Sequence, residues 1–273
     1  MYRIKTKRTL TPNVKLFEVE APDIARKAKP GQFVILRVHE KGERIPITIA
    51  DADADGGAVT IVFAKVGKTS LLLGELEEGE EILDFLGPLG NPIDVEDYGT
   101  ILLVGGGVMV GALYYQARAL REAGNEVVAV VGARSSDHLI YVDEMKDVSD
   151  ELHVATDDGS EGYEGLDFLR DLLSERKFDR VFTIGPTSLQ KEVSEMTRPY
   201  GIPTTVNLFP VMVDGMGMCG ACRVTVGGET KFACVDGPDF DGHKVDFDEL
   251  ISRMRYYNPQ EKIAMVLCEG EGS

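Results

Sequence analysis

The sequence predicts an antiparallel β barrel followed by a parallel α/β domain and a small C-terminal domain that carries cysteines. Three observations support this class. Short alternating segments fill the first third of the chain, strands and helices alternate in the middle, and three of the four cysteines lie between positions 219 and 234. We assign residues 1–98, 99–209 and 210–273 to these three domains.

The barrel is predicted from segments in which polar and apolar residues alternate with period two. Such alternation is typical of half-buried strands, and turn-forming pairs such as Pro-Gly and Lys-Gly separate the segments. The predicted strand segments are Lys5–Val19, Gln32–His39, Ile45–Asp51, Ala58–Val66 and Glu81–Leu86.

The middle region is predicted to form a parallel sheet covered by helices, because apolar strand segments alternate with helical patterns. The predicted strands are Thr100–Val104, Glu126–Gly132, Glu151–Thr156, Arg180–Ile184 and Thr204–Leu208. The predicted helices lie near Gly111–Ala123, Leu166–Arg176 and Thr187–Tyr200. A further short helix, Asp248–Tyr256, is predicted in the tail and should end before Asn258-Pro259.

Composition and charge exclude several classes of function. The chain has 273 residues, of which 43% are hydrophobic, so it can bury the cores of two or three domains. Its formal net charge of −17 disfavours binding to nucleic acid or to anionic membranes. The longest apolar run, 101–115, is too short to span a membrane, and the N-terminal segment lacks the apolar region of a secretion signal. We expect a cytoplasmic protein without nucleic-acid or membrane partners.

The spacing of the cysteines predicts an iron–sulfur site. Plant-type [2Fe–2S] proteins use the pattern Cys-x4-Cys-x2-Cys with one distant cysteine. Here Cys219, Cys222 and Cys234 occupy three of those positions, and Asp214 stands where the first cysteine would be. Glycines between these residues allow the backbone to wrap closely around a cluster.

Two other interpretations of the cysteines remain open. Zinc also binds Cys-x2-Cys, and its fourth ligand would then be His243 or Asp214. However, structural zinc ligands usually come as two pairs, and Cys234 has no paired cysteine nearby. The cysteines could also be unligated structural residues. The fourth cysteine, Cys268, is expected to be a lone thiol.

Two glycine-containing turns have the composition of phosphate-binding sites. The turn 67–70 leads into an apolar helical run, and the turn 105–107 joins an apolar strand to a helix. A helix N-terminus presents free N–H groups to a diphosphate. The alternatives are a plain turn with an N-cap formed by Thr69 or Ser70 at the first site and a close-packed strand-to-helix connection at the second.

The order of these motifs resembles the ferredoxin reductase-like family over nearly the whole chain. Within it, the group most similar contains the electron-transfer subunits of dihydroorotate dehydrogenase and the small subunits of NADH-dependent reduced ferredoxin:NADP oxidoreductases. The first subunits carry cysteine at the position of Asp214, so the resemblance favours the second. The motifs are Arg44-Ile45-Pro46-Ile47-Thr48, Gly67-Lys68-Thr69-Ser70, Gly87-Pro88-Leu89-Gly90, Gly105-Gly106-Gly107, Gly185-Pro186 and the cysteine loop.

The resemblance implies three cofactor sites and no catalytic acid, base or nucleophile. FAD would be contacted by Arg44, Pro46, Ile47 and Thr48, with Thr48 near the flavin N5 edge, and its phosphates by Gly67, Lys68, Thr69 and Ser70. NAD(H) would be bound by Gly105, Gly106, Gly107, Asp157, Gly159, Gly185 and Pro186. The [2Fe–2S] cluster would be held by Asp214, Cys219, Cys222 and Cys234.

The function implied by the resemblance is electron transfer. The chain would exchange a hydride between NAD(H) and FAD and relay single electrons through the cluster to a partner in a heterodimer. The expected partner is a larger flavoprotein, similar to the small subunit of glutamate synthase, with FAD and [4Fe–4S] clusters; ferredoxin would be reached through it. The NAD preference rests on the resemblance alone, because Arg134 and Ser135 could also accept a 2′-phosphate.

Two alternative functions remain. The chain could be the electron-transfer subunit of a dihydroorotate dehydrogenase, paired with a barrel enzyme that binds FMN. It could also be a zinc-stabilised nucleotide-binding protein without redox activity. Colour separates the last possibility from the others, because flavin and iron–sulfur clusters absorb visible light and zinc does not.

Overall fold

A computed structural model describes the backbone of residues 1–271 and the side chains of residues 1–265. The prediction that Cys268 is a lone thiol lies outside the described side chains. No helix in the described part of the chain is both long and apolar enough to cross a membrane.

The first part of the chain forms a seven-stranded antiparallel sheet with the order β6-β1-β2-β5-β4-β3-β7, which confirms the predicted barrel. Two expectations were wrong. The segment Lys5–Val19 is a hairpin of two strands, because Pro12-Asn13 makes a turn within it. The segment 81–86 is divided at Leu83, because its first residues pair with the first strand of the barrel and its later residues pair with the third. The strands are β1 (Tyr2–Thr11), β2 (Val14–Glu20), β3 (Phe33–Arg37), β4 (Ile45–Asp53), β5 (Ala58–Ala64), β6 (Glu81–Ile82) and β7 (Asp84–Leu89). The helices are α1 (Pro22–Ala25) and α2 (Lys68–Glu75).

The middle of the chain forms the predicted parallel sheet, with the order β11-β10-β9-β8-β12-β13. A short strand from the last part of the chain, β16 (Asp239–Asp241), is added beside β13. Its strands are β8 (Thr100–Gly106), β9 (Glu126–Ala133), β10 (Glu151–Thr156), β11 (Tyr163–Glu164), β12 (Arg180–Ile184) and β13 (Thr204–Asn207). Its helices are α3 (Val110–Glu122), α4 (Val142–Asp147), α5 (Phe168–Glu175) and α6 (Thr187–Thr197). Because β9 and β12 flank β8, the strand order reverses at β8, and a crevice is expected there at the carboxyl ends of the strands.

The last part of the chain contains β14 (Arg223–Val226), β15 (Glu229–Phe232), α7 (Ala233–Asp236), β16 (Asp239–Asp241), α8 (Phe247–Met254) and α9 (Asn258–Glu271). Strand β16 pairs antiparallel with β13 and so extends the sheet of the middle region. The predicted domain boundaries stay predictions. The expectation that Asn258-Pro259 ends the helical tail was wrong, because these residues begin α9, and proline is compatible with the first turn of a helix.

Strand β3 holds the cysteine region against the barrel. Val34 and Leu36 pack in the barrel core, whereas Phe33 and Ile35 pack in a second core that includes Cys222. Successive side chains on a strand point to opposite faces, so one continuous apolar run can serve two cores. The position of the cysteine loop is therefore fixed by buried contacts with the barrel.

The barrel and the middle region also share a core. Ala50 and Val62 of the barrel pack in the same buried cluster as Val110 of α3. Beside this cluster, Arg118 Nη1 donates to Asp51 Oδ2 at 2.9 Å and links α3 to β4. These contacts fix the first turn of α3 on the barrel surface.

The junction of β13 and β16 contains a carboxyl group whose charge opposes folding. Asn207 Nδ2 donates to Asp239 Oδ1 at 2.7 Å, while Asp239 Oδ2 is buried without a hydrogen-bond partner among the described residues. The pKa of Asp239 is raised to about 7, chiefly by burial and in part by the nearby Asp94, while the hydrogen bond from Asn207 and the charge of Arg180 act to lower it. Ionising Asp239 is therefore harder in the folded than in the unfolded chain.

This shift predicts a pH-dependent loss of stability. Because the folded-state pKa of Asp239 is raised, the stability that depends on its neutral form is complete below the ordinary aspartate pKa of 3.8 and is lost progressively as pH rises from there through about 7. We expect Asp239→Asn to raise the unfolding temperature above that of wild type by a larger margin at pH 8 than at pH 5. Thermal unfolding between these values measures the difference, with Asp55→Asn in an exposed turn as the control. An equal effect of Asp239→Asn at both values would contradict the assignment.

Candidate redox site

A cavity of about 840 Å³ lies at the mouth of the barrel, where five segments of the chain meet. All eight residues predicted to contact FAD line it: Arg44, Pro46, Ile47, Thr48, Gly67, Lys68, Thr69 and Ser70. The rest of its wall includes Val108 and Met109 after β8, Phe209 and 211–213 before the cysteine loop, and Tyr257, Gln260, Glu261 and Ala264 in the tail. The structure thus brings all three predicted regions to one cavity.

The turn before α2 is held by its own serine. Ser70 Oγ accepts hydrogen bonds from the N–H groups of Val66 and Gly67, each at 3.0 Å, and donates to Gly67 O at 3.0 Å. The N-cap residue is therefore Gly67, not Thr69 or Ser70 as in the alternative to phosphate binding, and Ser70 caps the turn from the third helical position. Capping and phosphate binding are compatible, because the capped turn still directs the positive end of the α2 dipole and the Lys68 side chain toward the cavity wall.

The glycines predicted to bind NAD(H) lie on both sides of the crevice between β8 and β12. A Cβ atom on Gly185 would lie 3.1 Å from Gly106 N and 3.2 Å from Gly106 O, so the backbone at Gly106 would have to shift by a few tenths of an ångström to admit a larger residue. Gly185 also has a φ of +153°, which side chains disfavour. Gly107, with a φ of +61°, faces open space.

The predicted residues Asp157 and Gly159 lie farther away. They follow β10, and β9 separates β10 from the glycine turn on β8. Asp157 is exposed, and its N–H donates to Ala133 O at 3.0 Å. The structure therefore places this turn at the same edge of the sheet as the glycines but does not bring it into contact with them.

Asp214 organises the cysteine loop through its carboxylate. Its Oδ1 accepts a hydrogen bond from Met216 N at 2.8 Å, and its Oδ2 accepts one from Cys219 N at 2.6 Å. These bonds, chiefly the one from Met216, lower the pKa of Asp214 and keep it ionised at neutral pH. An anionic oxygen donor therefore lies beside the backbone of Cys219.

Cys222 and Cys234 lie side by side beneath the loop. Their Sγ atoms are 3.2 Å apart, both residues are 2% exposed, and both are free thiols, as is the exposed Cys219. Burial, followed by the adjacent Cys222 thiol, raises the pKa of Cys234 to about 12. A bound cation reverses this preference, because a coordinating thiol is deprotonated.

The donor chemistry of the loop fits an iron–sulfur cluster better than zinc. The Cys222 and Cys234 thiols are already adjacent, and the Cys219 thiol and the Asp214 carboxylate lie on the same loop. Together they supply the four donors that a cluster requires. His243, the alternative zinc ligand, instead has Nε2 3.0 Å from Thr197 Oγ1 on α6. Within the described residues, however, no three His, Cys, Asp or Glu side chains are already arranged around one metal position.

Several cavity residues were missed by the sequence analysis. Tyr257, Gln260 and Glu261 were missed because the tail was expected to lose its helix at Asn258-Pro259. An Asn-Pro pair at the start of a helix is itself a recognised signal of an N-terminus, and it could have identified α9. Met109 and Phe209 carry no local signal, because only the tertiary fold brings them to the barrel.

Comparisons with known proteins agree with this architecture. Residues 210–246 match the model of the iron–sulfur cluster binding domain of dihydroorotate dehydrogenase B. A Thermotoga maritima protein described as a dihydroorotate dehydrogenase B (NAD(+)) electron transfer subunit homolog is 53% identical over 91% of this chain and 88% of its own length. A probable electron transfer subunit from Methanocaldococcus jannaschii is 33% identical, with 90% of each chain covered.

This chain belongs to the family of dihydroorotate dehydrogenase B electron transfer subunits and their homologues. A chain in a solved structure of an NADH-dependent reduced ferredoxin-NADP oxidoreductase also matches, with 50% identity, a TM-score of 0.92 and coverage of 97% of this chain and 96% of that one. The family membership confirms the resemblance seen in the sequence and the predicted combination of barrel, α/β sheet and iron–sulfur domain. It does not test the individual site residues, which stay predictions.

Proposed function

We propose that this electron-transfer subunit exchanges a hydride between NAD(H) and FAD and relays single electrons through a [2Fe–2S] cluster to a partner flavoprotein. The complex is an electron-bifurcating ferredoxin:NADP transhydrogenase. The observation that carries the proposal is the shared cavity wall, which joins the flavin segment at Thr48, the glycine turn at Met109 and the cysteine loop at Val213. The three proposed cofactor sites adjoin through that wall.

The proposed roles of the residues follow from their positions. Thr48 and Lys68 line opposite segments of the cavity and would orient the flavin ring and its diphosphate, respectively. Gly106 and Gly185 leave room for a nucleotide backbone at the strand ends. A bound flavin supplies the conversion between a two-electron hydride and single electrons. The protein binds, orients and shields the reacting groups.

The connection to the cluster is a short stretch of chain. Met212 is buried, Val213 lines the cavity, and the next residue, Asp214, is a proposed ligand. No large segment therefore needs to move for electrons to pass from the cavity to the loop. Cys222 and Cys234 would hold the buried side of the cluster, while Cys219 and Asp214 would hold its outer side.

The transhydrogenase is favoured over dihydroorotate dehydrogenase by two observations. The chain carries Asp214 at the ligand position where the dihydroorotate subunits carry cysteine, and it is 50% identical to a chain of the solved NADH-dependent reduced ferredoxin-NADP oxidoreductase. The dihydroorotate alternative is supported by the descriptions of the family relatives. The proposed partner is a larger flavoprotein similar to the small subunit of glutamate synthase, with FAD and [4Fe–4S] clusters, which passes electrons to ferredoxin.

Affinity purification of the tagged chain from its native cells tests the partner. We expect a stable complex that contains additional FAD and [4Fe–4S] clusters and that reduces NADP⁺ when NADH and reduced ferredoxin are both supplied. A complex that contains FMN and oxidises dihydroorotate would instead establish the alternative.

Asp214→Cys tests whether Asp214 is a cluster ligand. A carboxylate is a harder donor than a thiolate, so exchanging one for the other is expected to shift the midpoint potential of the cluster. A spectroscopic redox titration measures this potential. Met216→Cys is the matched control, because it adds an exposed thiol to the same loop and leaves Asp214 in place. Equal potentials for Asp214→Cys and wild type would exclude Asp214 as a ligand.

A further inference from the structure

Met109 brings the middle region of the chain into contact with the proposed flavin site. It ends the short helical turn 107–109 that follows β8, and its Sδ lies 3.9 Å from Thr48 Oγ1 on β4. Both residues line the barrel cavity. The contact thus spans the gap between the glycine turn and the barrel.

The backbone around Met109 is held firmly against the barrel. A Cβ atom on Gly111 would lie 2.9 Å from Val62 Cγ2 and 3.4 Å from Ala50 Cβ, so this turn of α3 lies directly on β4 and β5. The adjacent Val110 is 1% exposed and belongs to the core that both regions share. Any movement of residue 109 must therefore come from its side chain and not from the backbone.

The Met109 side chain has the properties needed for such movement. It is only partly buried, and methionine is unbranched, with three rotatable bonds. The thioether is a weak hydrogen-bond acceptor, so its contact with Thr48 is easily broken. Met109 is therefore a flexible group attached to a rigid support.

The nicotinamide ring of a nucleotide bound at the glycine turn would have to pass the Met109 side chain to reach the flavin. A Cβ atom on Gly107 would meet open space, and Met109, two residues later, carries the side chain that contacts Thr48. We propose that Met109 is a positioning residue that controls how closely a nicotinamide ring approaches the flavin edge at Thr48. The side chain rests on Thr48 in the free protein and rotates aside when the ring stacks on the flavin. This inference rests on the proposed function.

Met109→Ala is expected to ease that approach. Displacing a side chain from its preferred rotamer opposes binding, and removing it should tighten nicotinamide stacking by about two- to tenfold. Met109→Leu keeps most of the bulk and should behave like wild type. Val142→Ala is the matched control, because it shortens a partly buried side chain that packs on the same core but does not line the cavity.

The test combines binding with the kinetics of flavin reduction in the full chain with its cofactors. Anaerobic titration with NAD⁺ of the NADH-reduced protein reports stacking through long-wavelength absorbance, and stopped-flow mixing with NADH separates the dissociation constant from the limiting rate. FAD content and thermal unfolding verify that each variant is intact. We expect the dissociation constant to fall in Met109→Ala and to be unchanged in Met109→Leu and Val142→Ala.

The outcomes separate this inference from the proposed function. If NADH reduces the wild-type flavin and Met109→Ala binds no more tightly than wild type, the role of Met109 is refuted and the proposed function stands. Weaker binding in Met109→Ala would mean that the thioether holds the nucleotide, which also refutes it. If NADH does not reduce the wild-type flavin, the proposed function fails and this inference fails with it.

Discussion

Cys222→Ser is expected to remove the iron–sulfur cluster and leave the flavin in place. Cys222 Sγ lies 3.2 Å from Cys234 Sγ in a buried pair, so the substitution leaves only one thiol on the inner side of the loop. Iron–sulfur clusters are held by thiolates, and the serine hydroxyl is a poor replacement. Iron and acid-labile sulfide should fall to near zero, while FAD content and flavin reduction by NADH persist. Reduction of one-electron acceptors that depend on the cluster should be lost.

Cys268→Ser is the matched control for this prediction. The same atom is exchanged at the one cysteine outside the proposed ligand set, so iron, sulfide and electron transfer should equal those of wild type. Thermal unfolding distinguishes loss of the cluster from loss of the fold. A Cys222→Ser protein that is folded and retains its full cluster would contradict the proposed ligand set.

Gly185→Ala is expected to weaken NADH binding strongly without loss of FAD or the cluster. Its new Cβ would lie 3.1 Å from Gly106 N, and its φ of +153° is unfavourable for alanine. The two turns must separate to relieve this contact, which deforms the proposed nucleotide site. Backbone strain of about 1–3 kcal/mol corresponds to a rise of at least about fivefold in the dissociation constant. Stopped-flow reduction at several NADH concentrations measures it.

Gly132→Ala provides the comparison for Gly185→Ala. Gly132 lies at the same edge of the sheet on β9, and a Cβ there would make ordinary contacts of 3.6 Å with Gly105 O and 3.8 Å with Ala155 O. We expect near-normal NADH affinity from this variant. Similar affinities in both variants would show that the approach of Gly185 to Gly106 does not shape the nucleotide site.

The sequence predicted those parts of the fold that have a local pattern. The alternating barrel strands and the apolar strands of the parallel sheet were identified because each pattern reports which faces are buried. The hairpin at Pro12-Asn13 was missed because alternation continues on both sides of a short turn. Strand β16 was missed because its pairing with β13 depends on chain segments that are distant in sequence.

The residues of the candidate site also divide into those that a local motif predicts and those that only the tertiary fold brings in. The residues around Thr48 and Lys68 were predicted to contact flavin as two separate motifs, and the structure places both on one cavity. Met109 and Tyr257 reach that cavity from other regions, which no local pattern reveals. For Asp214, the sequence indicated a ligand position, whereas the structure adds that the carboxylate accepts hydrogen bonds from the loop backbone.

The central claim is that electrons pass from NADH through FAD to a [2Fe–2S] cluster within this single chain. Anaerobic titration of the reconstituted protein with NADH, followed by visible absorption and electron paramagnetic resonance, tests it most directly. We predict that the flavin bleaches and that the reduced cluster then gives its paramagnetic signal. A protein that stays colourless after reconstitution, or whose flavin is reduced while the cluster remains oxidised with a potential high enough to accept electrons, would contradict the claim.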